Sequence, residues 1–426
     1  FKKINLFQLV MLALGSLIGS GWLFGSWEAT KIAGPAAIFS WIIGGLVIGS
    51  IAYDYVEIGA MFPESGGMSK YAQYSHGSML GFIAAWANWV SLITLIPIEA
   101  VAAVQYMSTW PWAWARWTHH FLSNGVITNS GLFVVFGFII VFTALNFWSV
   151  TILTHFTSLI SVFKIGIPLL TIIMLTMSGF HPGNYGSNLH EFMPYGSAPI
   201  FTATSAAGII FSFDAFQTVI NMGGEIEHPK KNIGRGITIS LLISGILYVI
   251  LQSTFITAIP PKMIAATGWH GIVFNSPFAD MAILLGIHWL SVLLYMDAFV
   301  SPFGTGVSFV ANTARALFAM EGNRHVPHFL GKINLKYGIP RYAMMVNTVL
   351  SMVMVTVFRS WAVLATVLST ATLIAYLTGP VTAVSLRKMG PDLYRPIRLK
   401  RLPWIAPISF VLASLATYWA MWPTTI

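Results

Sequence analysis

Cysteine is absent from this chain of 426 residues, which excludes disulfides and thiolate metal sites. Charge is scarce as well: Asp, Glu, Lys and Arg make up 8% of the residues, against about 25% in an ordinary soluble domain. That composition excludes a water-soluble globular protein. The eleven histidines form no HExxH or other ligand spacing, and there is no GxSxG elbow or Walker loop. No metal site, cofactor or enzyme activity is therefore expected. A cleavable signal peptide is not expected either, because Phe1-Lys2-Lys3 runs straight into a segment of spanning length.

What fills the chain is apolar. Hydrophobic residues make up 56% of it and its mean hydropathy is +0.75, so an all-α, polytopic membrane protein is predicted. Eleven segments approach the ~20 apolar residues that a bilayer requires. They lie at 6–33, 35–60, 79–109, 128–148, 153–178, 199–225, 235–258, 278–318, 341–358, 360–386 and 403–422. With the amino terminus in the cytoplasm, seventeen of the 22 Lys and Arg residues fall inside, Lys2, Lys3 and Lys336 among them. Only Lys31, Arg116, Lys262 and Arg359 fall outside. The net charge of +9 is thus a positive-inside signal and not a nucleic-acid footprint, although attraction to anionic lipid is compatible with it.

The remaining basic residue, Lys164, sits in the middle of the fifth segment. A lysine there costs at least about 2.5 kcal/mol, so it must face protein or water. Some ten residues on either side, or ~15 Å of helix, put the interface beyond comfortable reach of its stem. Lys164 is therefore a candidate functional residue, with snorkelling as the bland alternative.

The first segment is interrupted by Gly15-Ser16-Leu17-Ile18-Gly19-Ser20-Gly21, residue types that favour non-helical backbone. Inside a bilayer such backbone survives only where protein buries it or water reaches it. The alternative for these glycines is close helix packing, the favoured reading for Gly44, Gly45 and Gly49, which lack polar neighbours. The sixth segment repeats the oddity in Gly208-Ile209-Ile210-Phe211-Ser212-Phe213-Asp214-Ala215-Phe216-Gln217. Breaks at matching places in two five-segment halves, 6–178 and 199–386, point to an inverted repeat around a central solute site. The predicted organisation is one domain over 1–426, with an additional helix at 403–422.

Here the residues resemble a known family. The Gly15–Gly21 run followed by Ala33-Gly34-Pro35-Ala36 is similar to the first-helix signature of the amino acid–polyamine–organocation (APC) superfamily. So are Tyr55 to Pro63 with Glu64-Ser65-Gly66-Gly67, Glu227-His228-Pro229-Lys230-Lys231, Ser301-Pro302-Phe303-Gly304-Thr305-Gly306 and Val326-Pro327-His328-Phe329, in the family's order. Within it, the bacterial amino acid–proton symporters, aspartate carriers included, look most similar. The resemblance implies a LeuT-like five-plus-five inverted repeat with discontinuous helices 1 and 6, and twelve helices in all. The twelfth is expected beyond Ile426. The usual glycine of the sixth-helix break is replaced at Asp214-Ala215.

The resemblance further implies an amino acid substrate held at Ser16, Leu17, Gly19, Ser20, Gly21, Phe211 and Asp214. The carboxylate would lie on Ser20 and Gly21, at the positive end of the half-helix. The ammonium would lie on the carbonyls of Leu17, Phe211 and Asp214, with Phe211 as a gating aromatic. Lys164 matches the fifth-helix lysine of proton-coupled members, with Thr305 as its hydroxyl neighbour; its protonation can respond to conformation and bound substrate. It could also donate to carbonyls near Gly15 to Ile18. Protons are thus the expected coupling ion.

Among the other acids, Glu28 and Asp214 are candidate proton carriers or side-chain readers. Asp54 and Glu57 are candidates for an inner ion pair, with Arg315 as a possible partner, and Glu99 and Asp297 for function or structural hydrogen bonding alike. Trp110, Trp112, Trp114 and Trp117 read as an outer interfacial belt, and Trp22 as a substrate contact or a packing residue. Small neutral or acidic amino acids are favoured as cargo. A sodium-independent exchanger and a cationic amino acid carrier remain the alternatives. The expected setting is the inner membrane of a bacterium.

Overall fold

The computed structural model describes residues 4–64, 66–147, 150–334 and 338–420; Lys2, Lys3 and Lys336 lie outside that range. In chain order the helices are α1 (Leu6–Leu17), α2 (Ser20–Ala33), α3 (Ala37–Met61), α4 (Tyr71–Met107), α5 (Asn129–Asn146) and α6 (Val150–Ser178). The short α7 (Leu189–Phe192) precedes α8 (Ala198–Ala206), α9 (Ile209–Ser212), α10 (Ala215–Asn221) and α11 (Pro229–Ala258). Then follow α12 (Pro261–Thr267), α13 (Pro277–Leu284), α14 (His288–Gly322), α15 (Arg341–Val357), α16 (Trp361–Met389) and α17 (Leu402–Trp419). Strand structure among the described residues is limited to a two-residue hairpin, Leu122–Ser123 with Val126–Ile127, and isolated bridges.

Among the described residues, seven stretches are long and apolar enough to cross a bilayer: Ser20–Met61, Tyr71–Met107, Asn129–Asn146, Pro229–Ala258, His288–Gly322, Trp361–Met389 and Leu402–Trp419. Leu6–Leu17 and Arg341–Val357 are shorter apolar helices, and α6 is apolar over Phe163–Ser178. The outer surface is that of a membrane protein. On α11, Ile239, Leu242, Ile243, Ile246 and Ile250 are exposed, an apolar stripe at helical spacing that lipid would cover. Polar side chains such as Asn88, Ser91, Thr94 and Glu99 of α4 are buried instead. The bundle centres on α4, which packs against α14 and α16, and on α3, which packs against α11 and α17.

Interruptions in three segments position the interior. Helix α1 ends at Leu17 and α2 starts at Ser20; Ile18 (φ −79°, ψ 80°) and Gly19 (φ −111°, ψ −138°) leave the helical region. The 199–225 segment is broken twice. Gly208 has φ +78° between α8 and α9, a left-handed conformation that a Cβ disfavours. Phe213 and Asp214 then separate α9 from α10. The 278–318 segment requires correction, because Leu285–Ile287 part α13 from α14, with Gly286 at φ +77°. An isolated glycine in an apolar run does not by itself reveal such a turn.

The tryptophans after α4 split into two environments. Trp114 and Trp117 are 66% and 54% exposed, while Trp110 stacks on Phe299 and Trp112 packs against Tyr295.

Candidate functional site

The interruption between α1 and α2 leaves carbonyls at one helix end and amides at the other without intrahelical partners. Each end meets a buried side chain of matching polarity. Lys164 of α6, 1% exposed, donates from Nζ to Gly15 O at 2.5 Å and to Thr305 Oγ1 at 2.7 Å. Glu99 of α4, fully buried, accepts from the Ser20 amide at 2.8 Å through Oε2. A side-chain donor thus meets the carbonyl end and a side-chain acceptor the amide end, each supplying what the interrupted helix lacks.

Gly19 lies between these groups. A Cβ there would come within 2.6 Å of Glu99 Oε1 and 2.9 Å of Thr305 Oγ1. Ser16 Oγ reaches Thr218 Oγ1 of α10 at 3.0 Å, and Gly21 abuts Ser212 and Phe211 of α9. The two broken segments therefore meet. Ser20 Oγ accepts from Trp361 Nε1 at 2.9 Å, and the Phe211 ring packs against the same tryptophan, centroids 5.8 Å apart.

The three carbonyls considered for an ammonium are already hydrogen-bonded. Leu17 O takes Gly19 N at 2.9 Å and Tyr248 Oη at 3.3 Å. Phe211 O takes Asp214 N at 3.0 Å, and Asp214 O takes Gln217 N at 3.1 Å. The Asp214 side chain turns to α16, where Tyr376 donates to it in a short hydrogen bond and Thr372 lies at 3.5 Å. Gln217 Nε2 donates to the same Tyr376 oxygen at 2.6 Å.

Two expectations need correction. The structure does not bring Glu28 to the break: it forms an ion pair with Lys31 at 3.0 Å, nine residues or ~13 Å of helix beyond Gly19. Local i,i+3 spacing wins over any longer reach. Arg315 likewise does not serve Asp54 or Glu57, for it faces Glu225 at 3.4 Å. Glu57 instead receives Arg387 through Nε at 2.8 Å and a terminal nitrogen at 2.5 Å, as well as the Leu399 amide at 2.9 Å. Arg395 adds a third cationic contact at 3.6 Å. Trp22 is fully buried, donates to Asp297 Oδ2 at 3.2 Å and packs on Phe278; Ser301 donates to the other Asp297 oxygen at 2.7 Å.

Sequence reasoning thus weighed Glu99 only as functional or structural without a partner, and left unassigned Trp361 and Tyr376, which serve the interruptions from α16. For Glu99 a signal existed. It is a lone acid in mid-segment after Ile96-Pro97-Ile98, and a buried lysine elsewhere in the same bundle requires compensation.

Comparison with known proteins points one way. The amino acid permease family matches residues 4–425. The glutamate/serine transporter AimA of Bacillus subtilis (strain 168) is 51% identical over 424 residues, covering 100% of this chain and 78% of that protein. The aspartate-proton symporter of the same organism is 34% identical over 426 residues, covering 99% of this chain and 80% of that protein. The branched-chain amino acid permease BcaP, also from that organism, is 24% identical over 441 residues, with 100% and 89% covered.

Proposed function

The chain belongs to the amino acid permease family, a family of membrane transporters and not of enzymes, and from that premise we propose that it imports small neutral or acidic amino acids by proton symport through alternating access. The observation that carries the reading is the Lys164 ammonium on Gly15 O, at the carbonyl end of a broken helix. A protonatable group there stabilises the break when charged and releases it when neutral, so protonation and the shape of the site are linked. Relatives named for glutamate and serine and for aspartate with protons support the cargo class and the coupling ion.

In this reading the eleven segments form two inverted sets of five, 6–178 and 199–386, plus the helix at 403–422, in one domain of a bacterial inner membrane. The amino terminus is cytoplasmic. The interruptions at Ile18–Gly19 and around Gly208 to Asp214 line the central site, where interrupted helices of matching position are expected to bind solute. The amides of Ser20 and Gly21 would take the substrate carboxylate, at the helix end whose first amides have no intrahelical acceptor. Phe211 closes over it.

Purified protein in liposomes tests the reading. Labelled serine, aspartate or glutamate is expected to accumulate under an imposed inward proton gradient without sodium. Uptake that requires internal amino acid and ignores the pH gradient identifies an exchanger instead. Transport of lysine or arginine alone overturns the cargo assignment.

A further inference from the structure

The amide end of α2 already has a buried carboxyl group as its acceptor. Glu99 Oε2 holds the Ser20 amide at 2.8 Å, and Oε1 is buried without a hydrogen-bond partner among the described residues, directed at the Gly19 backbone. A helix end carries a fractional positive charge of about half a unit. The Ser20 amide has a single hydrogen to donate, so Glu99 and a substrate carboxylate compete for it.

We propose that Glu99 is an internal ligand of the α2 amide end, which the substrate's carboxylate displaces from the Ser20 amide. The inference rests on the amino acid transport reading and adds a residue from outside both broken segments. The geometry gives the displaced side chain a destination. Thr305 Oγ1, which receives Lys164, lies against the same Gly19 that Glu99 faces, so the ammonium is one side chain away from the freed carboxylate. Displacement also confers selectivity: an amine without a carboxylate has nothing to exchange for Glu99, whatever else it fits. Glu99 is thus a positioning residue, acting through the α2 amides.

The test is equilibrium binding of L-serine and L-aspartate to purified protein, with ethanolamine as the probe that lacks a carboxylate. Replacing a charged acceptor by a weaker neutral one, Glu99→Gln is expected to tighten amino acid binding about tenfold and to leave ethanolamine unbound. Glu99→Asp keeps the charge but is one methylene too short to reach Ser20, so it is expected to tighten binding as well. A role through charge alone would leave it like the wild type. Melting curves of the unliganded variants confirm that each is folded. Unchanged or weaker amino acid binding in folded Glu99→Gln overturns displacement while the transport reading stands. A wild type that binds neither amino acid overturns the transport reading, and displacement with it.

Discussion

Lys164→Met is expected to abolish uphill accumulation of amino acid under a proton gradient. Methionine nearly matches the length of the lysine stem but donates no hydrogen bond, so Gly15 O and Thr305 Oγ1 both lose the donor they now have at 2.5 and 2.7 Å. Leaving a buried carbonyl without its partner costs about 1–3 kcal/mol, concentrated at the hinge between α1 and α2. The variant also removes the protonatable group in contact with the break, and without it proton movement has no means to bias the site. Counterflow of labelled substrate and a normal melting curve would establish that the variant is folded and still binds. Full accumulation in Lys164→Met, or strict sodium dependence of the wild type, would refute the proposed coupling.

The second large effect is expected at Glu57. This carboxylate, 1% exposed, gathers two contacts from Arg387, one from Arg395 and the Leu399 amide. Arg387 also donates to Leu399 O, and Arg395 to the carbonyls of Leu386 and Gly390. Residues 386–399 are therefore folded against α3 around one acid. Removing one partner of a buried pair leaves its charges uncompensated, at about 3–5 kcal/mol. Glu57→Gln should accordingly melt well below the wild type in detergent, and so should Arg387→Ala. The double variant should lose much less than the sum of the two, because both remove the same interaction. Melting indistinguishable from the wild type in Glu57→Gln would show that the cluster contributes little to stability.

Parts of this organisation were legible in residue order because their causes are local. The run from Gly15 to Gly21 is too poor in helix formers to continue a helix in lipid, and the backbone does leave the helical region at Ile18 and Gly19. The cost of a mid-segment lysine needs no knowledge of its neighbours, so Lys164 stood out at once. The pairing of Glu28 with Lys31 is equally local, three residues apart, yet the sequence reading assigned Glu28 to the central site instead. Other features depended on distant chain. Nothing near Glu57 distinguishes Arg387 from Arg315 as a partner, since both belong to the same predicted side of the membrane. Glu99 lies 79 residues from the amide it holds, and Asp214 lies 162 from Tyr376.

Residue order alone determined that this chain lives in lipid, that its first and sixth segments are interrupted, and that one buried lysine must have a polar partner. These follow from the free energy of moving single residues and short backbone runs out of water. Only the tertiary structure decided which groups meet at the interruption. Lys164 on the Gly15 carbonyl, Glu99 on the Ser20 amide and Trp361 on the Ser20 hydroxyl come from three separate helices, and packing of the whole bundle sets their distances.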